Sequence, residues 1–308
     1  MFNLFLLQSL NGIQFGILLF LVAAGLTLIF GVMDLINLAH GVLYMVGAYL
    51  TATFTAMTGS FFYGIFIALP VTLVIGIVLE VLVFRRLYER SHLDQVLATF
   101  GLILIVNELV KIIWGAAPLS VPMPETLSGS IQLFGNLRYP VYRLLIIAAG
   151  LLTAVSLYVL VNHTRIGMLL RAGATNGDMV SALGINIRRL FMVVFGLGAM
   201  LAGFAGGMIS PILSVDPGMG DSILILAFVV IVIGGVGSVR GAFVAALAVG
   251  LVDTLGRTFG PMLLRNLLDP AAASQMGRTL VPMLTYILMA AVLYFRPTGL
   301  FPAQGGTR

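Results

Sequence analysis

The chain has 308 residues, of which 60% are hydrophobic and 9% charged, and it carries a formal net charge of +5. About a quarter of a soluble domain is charged, and a soluble surface this poor in charge would aggregate through its apolar patches. A soluble enzyme, a nucleic-acid binder and a disordered chain are therefore excluded, and the chain is an integral membrane protein that lives in a lipid bilayer.

The 36 glycines favour a bundle of closely crossing helices. The apolar runs are long and continuous, without the alternating pieces of roughly ten residues that mark a membrane β-barrel. Cysteine is absent, so disulfides, thiolate metal sites and cysteine nucleophiles are ruled out.

A membrane span needs about 20 apolar residues. The first run is Leu10–Phe30, and it lacks the basic leader and small-residue cleavage site of a signal peptide. A polar interruption follows. Asp34, Asn37 and His40 recur at a spacing of three, which places them on one face of a helix. They are candidates for a substrate pathway or gate, with Gly41, because ionisable groups at membrane depth are costly to insert. Asp34 would accept from an ammonium group, and Asn37 and His40 would donate to a carboxylate. The competing reading is a turn in which these side chains cap helix ends.

The next runs are Leu38–Met57, Phe61–Phe84 and Val96–Trp114. Glu80 is expected to pair with Arg85 or Arg86, and Glu108 with Lys111 three residues on. The segment from Gly115 to Pro140 holds four prolines and Arg138 and is expected outside. Val141–Val161 is the fifth run. The stretch His163–Arg189 then carries two apolar clusters, Met168–Ala172 and Met179–Ile185, about an elbow at Asn176-Gly177-Asp178. It reads as two short helices just inside the membrane, covered by the chain's own helix ends or by a docking partner.

Leu190–Ile209 is the sixth run. Asp216 and Asp221 follow on the expected outer face, either in a solvated turn or in contact with a soluble partner. An apolar stretch, Ile223–Val252, is then broken by Gly234-Gly235-Val236-Gly237-Ser238-Val239-Arg240-Gly241. This break is either a plain turn between two short spans or a pair of helix ends at the midplane of the kind transporters use for anionic groups. Residues Met262–Leu268 read as a short interfacial helix, and Leu280–Phe295 is the last run.

Arginines set the orientation. Arg85, Arg86 and Arg90, and then Arg165, Arg171, Arg188 and Arg189, flank the same side, which the positive-inside rule makes cytoplasmic. The expected fold is all-α, a polytopic transmembrane bundle forming a single domain over residues 1–308. It has about eight spans, with the tail outside, if the broken stretch crosses once, and nine, with the tail inside, if it crosses twice; two half-helices that re-enter without crossing are a third alternative. The three histidines, His40, His92 and His163, are scattered, so no catalytic residue, metal site or cofactor is expected.

Several motifs carry a resemblance. Arg171-Ala172, followed after nine residues by Ala182-Leu183-Gly184-Ile185, looks like the coupling loop of importer permeases driven by ATP-binding-cassette (ABC) subunits, without the Glu that opens this motif in many of them. The segment Gly25–Gly41, then Asp216-Pro217-Gly218-Met219-Gly220, the glycine-rich break and Phe295-Arg296-Pro297-Thr298-Gly299-Leu300-Phe301 together resemble branched-chain amino-acid ABC permeases of the LivH type. The resemblance runs over essentially the whole chain. It implies a non-catalytic permease in the bacterial inner membrane, working with a second permease subunit, two cytoplasmic ATPase subunits docked on residues 163–190 and a soluble substrate-binding protein. A urea or short-amide permease of the same architecture is an alternative. An ion-coupled secondary transporter is a second, although it would want paired intramembrane charges. A membrane enzyme would need clustered histidines or acids.

Overall fold

The computed structural model describes residues 1–134, 137–175, 177–265 and 269–301. Its helices are α1 (Phe2–Met33), α2 (His40–Thr58), α3 (Phe61–Leu82), α4 (His92–Trp114), α5 (Val141–His163), α6 (Arg165–Thr175), α7 (Gly177–Ala182), α8 (Ile187–Ile209), α9 (Met219–Gly234), α10 (Val239–Leu264) and α11 (Pro270–Phe295). Eight of them are long and apolar enough to cross a membrane, and α9, at 16 residues, is shorter. The apolar runs of the sequence therefore map onto helices one for one, and the broken stretch becomes α9 and α10. A two-stranded hairpin, β1 (Ser130–Phe134) and β2 (Leu137–Pro140), sits in the segment between α4 and α5. It is an addition to the all-α expectation. Residues 266–268 of the expected interfacial helix lie outside the described residues, and Met262–Leu264 end α10.

Helix α1 is the central post. From Ile17 to Ala24 its side chains are almost wholly buried, because α8, α9 and α10 close around it. Helices α3, α4, α5 and α11 present rows of large apolar side chains outward, among them Phe66, Ile105, Leu152 and Ile287. Such a face is stable only against lipid or another membrane protein.

Small residues set the crossings and their direction. Gly12 lies against Gly250, Gly16 against Ala246 and Gly31 against Gly237, so α1 and α10 run antiparallel. Gly47 meets Gly203 and Thr51 meets Gly207, so α2 and α8 run parallel. Gly203 also meets Thr72 and Gly207 meets Ile65, so α3 opposes α8. Because α2 turns back from the end at which α1 stops, α8 and α10 both oppose α1. The chain must then return across the bundle between them, and it does so through residues 210–218 and α9 together. Counted with α9, the described helices make nine passes through the bundle, eight of them by helices long and apolar enough to cross a membrane on their own. The starts of α6, α8 and α10 and the ends of α1 and α3 share one end, which carries Arg85, Arg86, Arg165, Arg188, Arg189 and Arg240.

At Gly206 an added Cβ would run into the Tyr44 carbonyl oxygen, whereas one at Gly101 would meet nothing within 4 Å. Gly206→Ala is therefore expected to cost about 1–3 kcal/mol through overpacking. Gly101→Ala is expected to gain up to about 1 kcal/mol from helix propensity. Thermal unfolding of the two variants in detergent measures the contrast.

Candidate functional site

The segment that links α1 to α2 does not continue either helix. Asp34 adopts the left-handed conformation, with φ 48° and ψ 37°, and its N–H donates to the Phe30 carbonyl at 3.0 Å. Aspartate is one of the few residues that tolerates this backbone, and it stops α1. Residues 35–39 then climb back into the bundle. Asp34, Asn37 and His40 thus do not share a helix face: Asp34 is exposed, while Asn37 and His40 are fully buried.

His40 fixes the depth at which α2 begins. Its Nε2 lies 3.1 Å from the Val22 carbonyl oxygen, three turns before the end of α1, or about 16 Å at 1.5 Å per residue. A carbonyl only accepts, so Nε2 carries the proton and Nδ1 is left as an acceptor. That Nδ1, and both polar atoms of the Asn37 side chain, have no hydrogen-bond partner among the described residues. Gly25 makes room for the imidazole, since a Cβ there would lie 2.9 Å from His40 Nε2 and 2.6 Å from the Gly198 carbonyl oxygen. The connector is held from outside by Gln95, whose Oε1 accepts from the Ile36 N–H at 3.1 Å while its Nε2 donates to the Leu87 and Arg90 carbonyls.

A second interior start faces the first. The chain leaves α8, pairs Val215 with Leu119 through two backbone hydrogen bonds of 2.8 Å, and brings the Gly218 N–H to 3.4 Å from Met45 Sδ. Helix α9 then begins against α2. The Gly41 and Gly220 backbones touch, and a Cβ on Gly41 would lie 2.8 Å from Leu224 Cβ. Asp221, in the first turn of α9, therefore sits at bundle depth rather than on the outer face. Asp216 is half-buried on the way in.

The glycine-rich break is not at the midplane. Gly31 contacts Gly237, which places the turn between α9 and α10 at the arginine end. Gly235 and Gly237 take positive φ values of 99° and 79°. Ser238 caps α10 by accepting from the Gly241 N–H at 3.1 Å, and Gly234 packs on Gly241. The last carbonyls of a helix have no intrahelical donors. Here the C-terminal motif supplies them: Leu300 N–H donates to the Ile233 carbonyl at 2.8 Å and Phe301 N–H to that of Gly234 at 3.0 Å. Leu300 and Phe301 therefore lie at the arginine end. Nothing in hydropathy linked these two motifs.

The stretch after α5 folds as the two short helices expected, α6 and α7. Gly167 packs on the Leu160 and Val161 carbonyls, and the exposed Arg171 donates to the Val161 carbonyl. Leu170, Gly173 and Val180 are buried, Ala172 is half-buried, and Asn176 lies outside the described residues. Ala182-Leu183-Gly184-Ile185 forms a Schellman cap. Ile185 N–H donates to Val180 at 3.3 Å and Gly184 N–H to Ser181 at 3.0 Å, with Gly184 at φ 84°, a conformation that favours glycine. The cap leaves Leu183 75% exposed and Met168, one turn into α6, 56% exposed. One face of the stretch covers the chain's own helix ends, and the other leaves Leu183 and Met168 open.

Two charged pairs form as expected. Glu80, fully buried, accepts from Arg85 at 2.8 Å and from the Tyr88 hydroxyl at 2.7 Å. Burial, and then the bond to Glu80, push the Tyr88 phenol well above its ordinary range. Glu108 and Lys111 pair at 2.6 Å on an exposed face. No cluster of three or more metal-ligating side chains exists among the described residues.

A bundle of eight helices able to cross a membrane, with an arginine-bearing end and two short helices displayed there, is the layout of a multi-pass membrane protein. Over residues 8–296 the chain matches the family described as the permease component of branched-chain amino acid transport systems, and it belongs to that family. It is the non-catalytic membrane component of an ABC transport complex. It is 26% identical to the high-affinity branched-chain amino acid transport permease BraD of Pseudomonas aeruginosa, over 96% of this chain and 95% of the relative. It is also 26% identical to LivH of Escherichia coli, over 84% of this chain and 88% of the relative. A probable branched-chain amino acid permease of Methanocaldococcus jannaschii is 28% identical over 80% of this chain and 79% of the relative. No solved structure matches the chain.

Replacing an unpaired buried polar side chain by an apolar one of similar shape removes a desolvation cost and is neutral or stabilising. Asn37→Leu is expected to leave the melting temperature in detergent unchanged or raised. A fall of more than a few degrees would show that Asn37 has partners within the fold.

Proposed function

We propose that the chain forms half of the membrane pathway of an importer for branched-chain or chemically related amino acids. It would pair with a second permease subunit, take its energy from two cytoplasmic ATPase subunits and receive substrate from a soluble binding protein. The observation that carries this reading is the family match over nearly the whole chain, together with the apolar side chains, Met168 and Leu183, displayed at the arginine end.

The geometry supports a route for coupling. A partner gripping Leu183 and Met168 would pull on α6, which is tied to α5 through Arg171 and Gly167 and reaches α8 where Gly173 meets Leu190. Helix α8 packs on α1, α2 and α3, so its movement reaches the junction where α2 and α9 begin. At that junction Gly41 and Gly220 meet without side chains between them, and Asn37 and His40 lie just behind, so the gate is assigned there. Asp34 stands at the inner mouth. Gly234, Gly235, Gly237 and Ser238 hold the inner end of α9. Asp216, next to the Leu119–Val215 bridge, is the proposed contact for the binding protein.

The test is purification of the tagged chain from its native membrane in mild detergent, with partners identified by mass spectrometry. The wild type is expected to bring two ATPases and a second permease. Leu183→Asp, at an exposed position, is expected to release the ATPases and keep the second permease. Isolation of the chain alone, or retention of the ATPases by the variant, contradicts the reading.

A further inference from the structure

Helix α9 carries a carboxylate where a membrane protein rarely leaves one open. Asp221 and Ser222 are exposed, and so is Ile225, at 51%. They follow Gly220, whose backbone touches Gly41, the neighbour of His40, and His40 bonds to Val22, three turns inside the end of α1. The α8 contacts give the same depth. Gly25 faces Gly198, halfway along α8, and Tyr44 faces Gly206 near its far end, so the start of α2 lies between these levels. Asp221 therefore stands near the bilayer midplane. It makes no ion pair among the described residues.

An ionised carboxylate facing lipid at this depth is strongly unfavourable, and charges there face a water-filled cavity or a bundle interior. Asp221 also sits in the first turn of α9, where the helix dipole favours the anion. Four residues on, one turn along the same face, the Ile225 side chain stands open; side chains so spaced are neighbours, with Cβ atoms about 5–6 Å apart. A carboxylate next to an exposed aliphatic side chain fits a ligand that joins an ammonium group to an aliphatic chain.

We propose that the exposed face of α9 lines the translocation pathway, and that Asp221 receives the substrate's ammonium group there while Ile225 meets its aliphatic side chain. The assignment of the ligand rests on the amino-acid importer reading; the depth of Asp221 and its exposure on α9 rest on the fold alone. Asp221 thus moves from a contact on the outer face to a point on the path itself.

The chain has no cysteine, so single cysteines report directly. Asp221→Cys and Ser222→Cys are introduced separately, with Ile105→Cys on the outward face of α4 as the control. Each is treated, in the complete complex in proteoliposomes, with a charged membrane-impermeant thiol reagent, and modification of this chain is read by mass. Both α9 positions are expected to react, more slowly when leucine-loaded binding protein is present, and Ile105→Cys is expected to stay unmodified. Transport of leucine is then compared in Asp221→Asn and Asp221→Glu. Loss of a charge-assisted hydrogen bond predicts a maximal rate lower by about tenfold or more in Asp221→Asn. The half-saturating concentration of loaded binding protein is expected to stay unchanged, and Asp221→Glu to recover most of the rate.

If neither α9 cysteine reacts, the face is covered by lipid or by the second permease and the proposal is overturned. If both react without protection and Asp221→Asn transports normally, the pathway stands and the ammonium assignment falls. A wild-type complex that moves no amino acid, with both cysteines still reactive, overturns the substrate and leaves the water-lined face of α9 in place.

Discussion

Backbone N–H and C=O groups have no water to bond with inside a bilayer, so irregular chain at that depth survives only when protein surrounds it. Among the described residues, 35–39 and 215–218 are two such stretches, and the helices around them keep every one of their residues at least half-covered. Helix α1 walls the first with Val22 and Gly25, and Gln95 reaches across from α4 to the Ile36 N–H. The second is held by Leu119 and by Met45. Close approach is what makes the enclosure possible. Where α1 meets α8 and α10, α2 meets α8 and α9, and α9 meets α10, glycine backbones approach with no room for a methyl group. The abundance of glycine is thus a packing requirement of a bundle that carries loops in its interior.

That enclosure separates the charged and the apolar work of the molecule. Arginines gather at one end, where α6 and α7 show Met168 and Leu183. The interior holds Asn37 and His40 with polar atoms left unpaired, and Asp221 opens at the same level. Unpaired buried polar groups are rare in native structures and call for an explanation; the gate proposed at this junction is one. Glu80 shows the contrasting case of a fully buried carboxylate satisfied by Arg85 and Tyr88, a structural charge that needs no ligand.

Much of this was legible in the sequence because hydropathy marks helices that lie in lipid. The runs Phe61–Phe84, Val96–Trp114 and Leu190–Ile209 correspond to α3, α4 and α8 within a few residues, and the arginines expected on one side, Arg85, Arg86, Arg165, Arg188 and Arg189, do share one end of the bundle. The family motifs covered the chain from α1 to the tail. The junction was harder to read. Leu35, Ile36, Leu38 and Ala39 are apolar whether the backbone is helical or extended, so the spacing of Asp34, Asn37 and His40 looked like a helix face when it is a climbing connector. The glycines of 234–241 looked like a midplane break, yet they serve a turn that packs on Gly31 and on the C-terminal Leu300 and Phe301. Which glycines meet is decided by pairs far apart in sequence. No local pattern reveals that Gly41 touches Gly220, and so none could place Asp221 in depth.

The central claim is that α9 completes a ninth crossing, which puts the two ends of the chain on opposite faces of the membrane. A cleavable tag fused in turn to each end, probed with protease in sealed right-side-out and inverted vesicles, tests it most directly. The account predicts that the amino-terminal tag is cut only in right-side-out vesicles and the carboxy-terminal tag only in inverted ones. Cleavage of both tags from the same side would contradict it, because α9 would then re-enter without crossing and the interior junction could not be built as described.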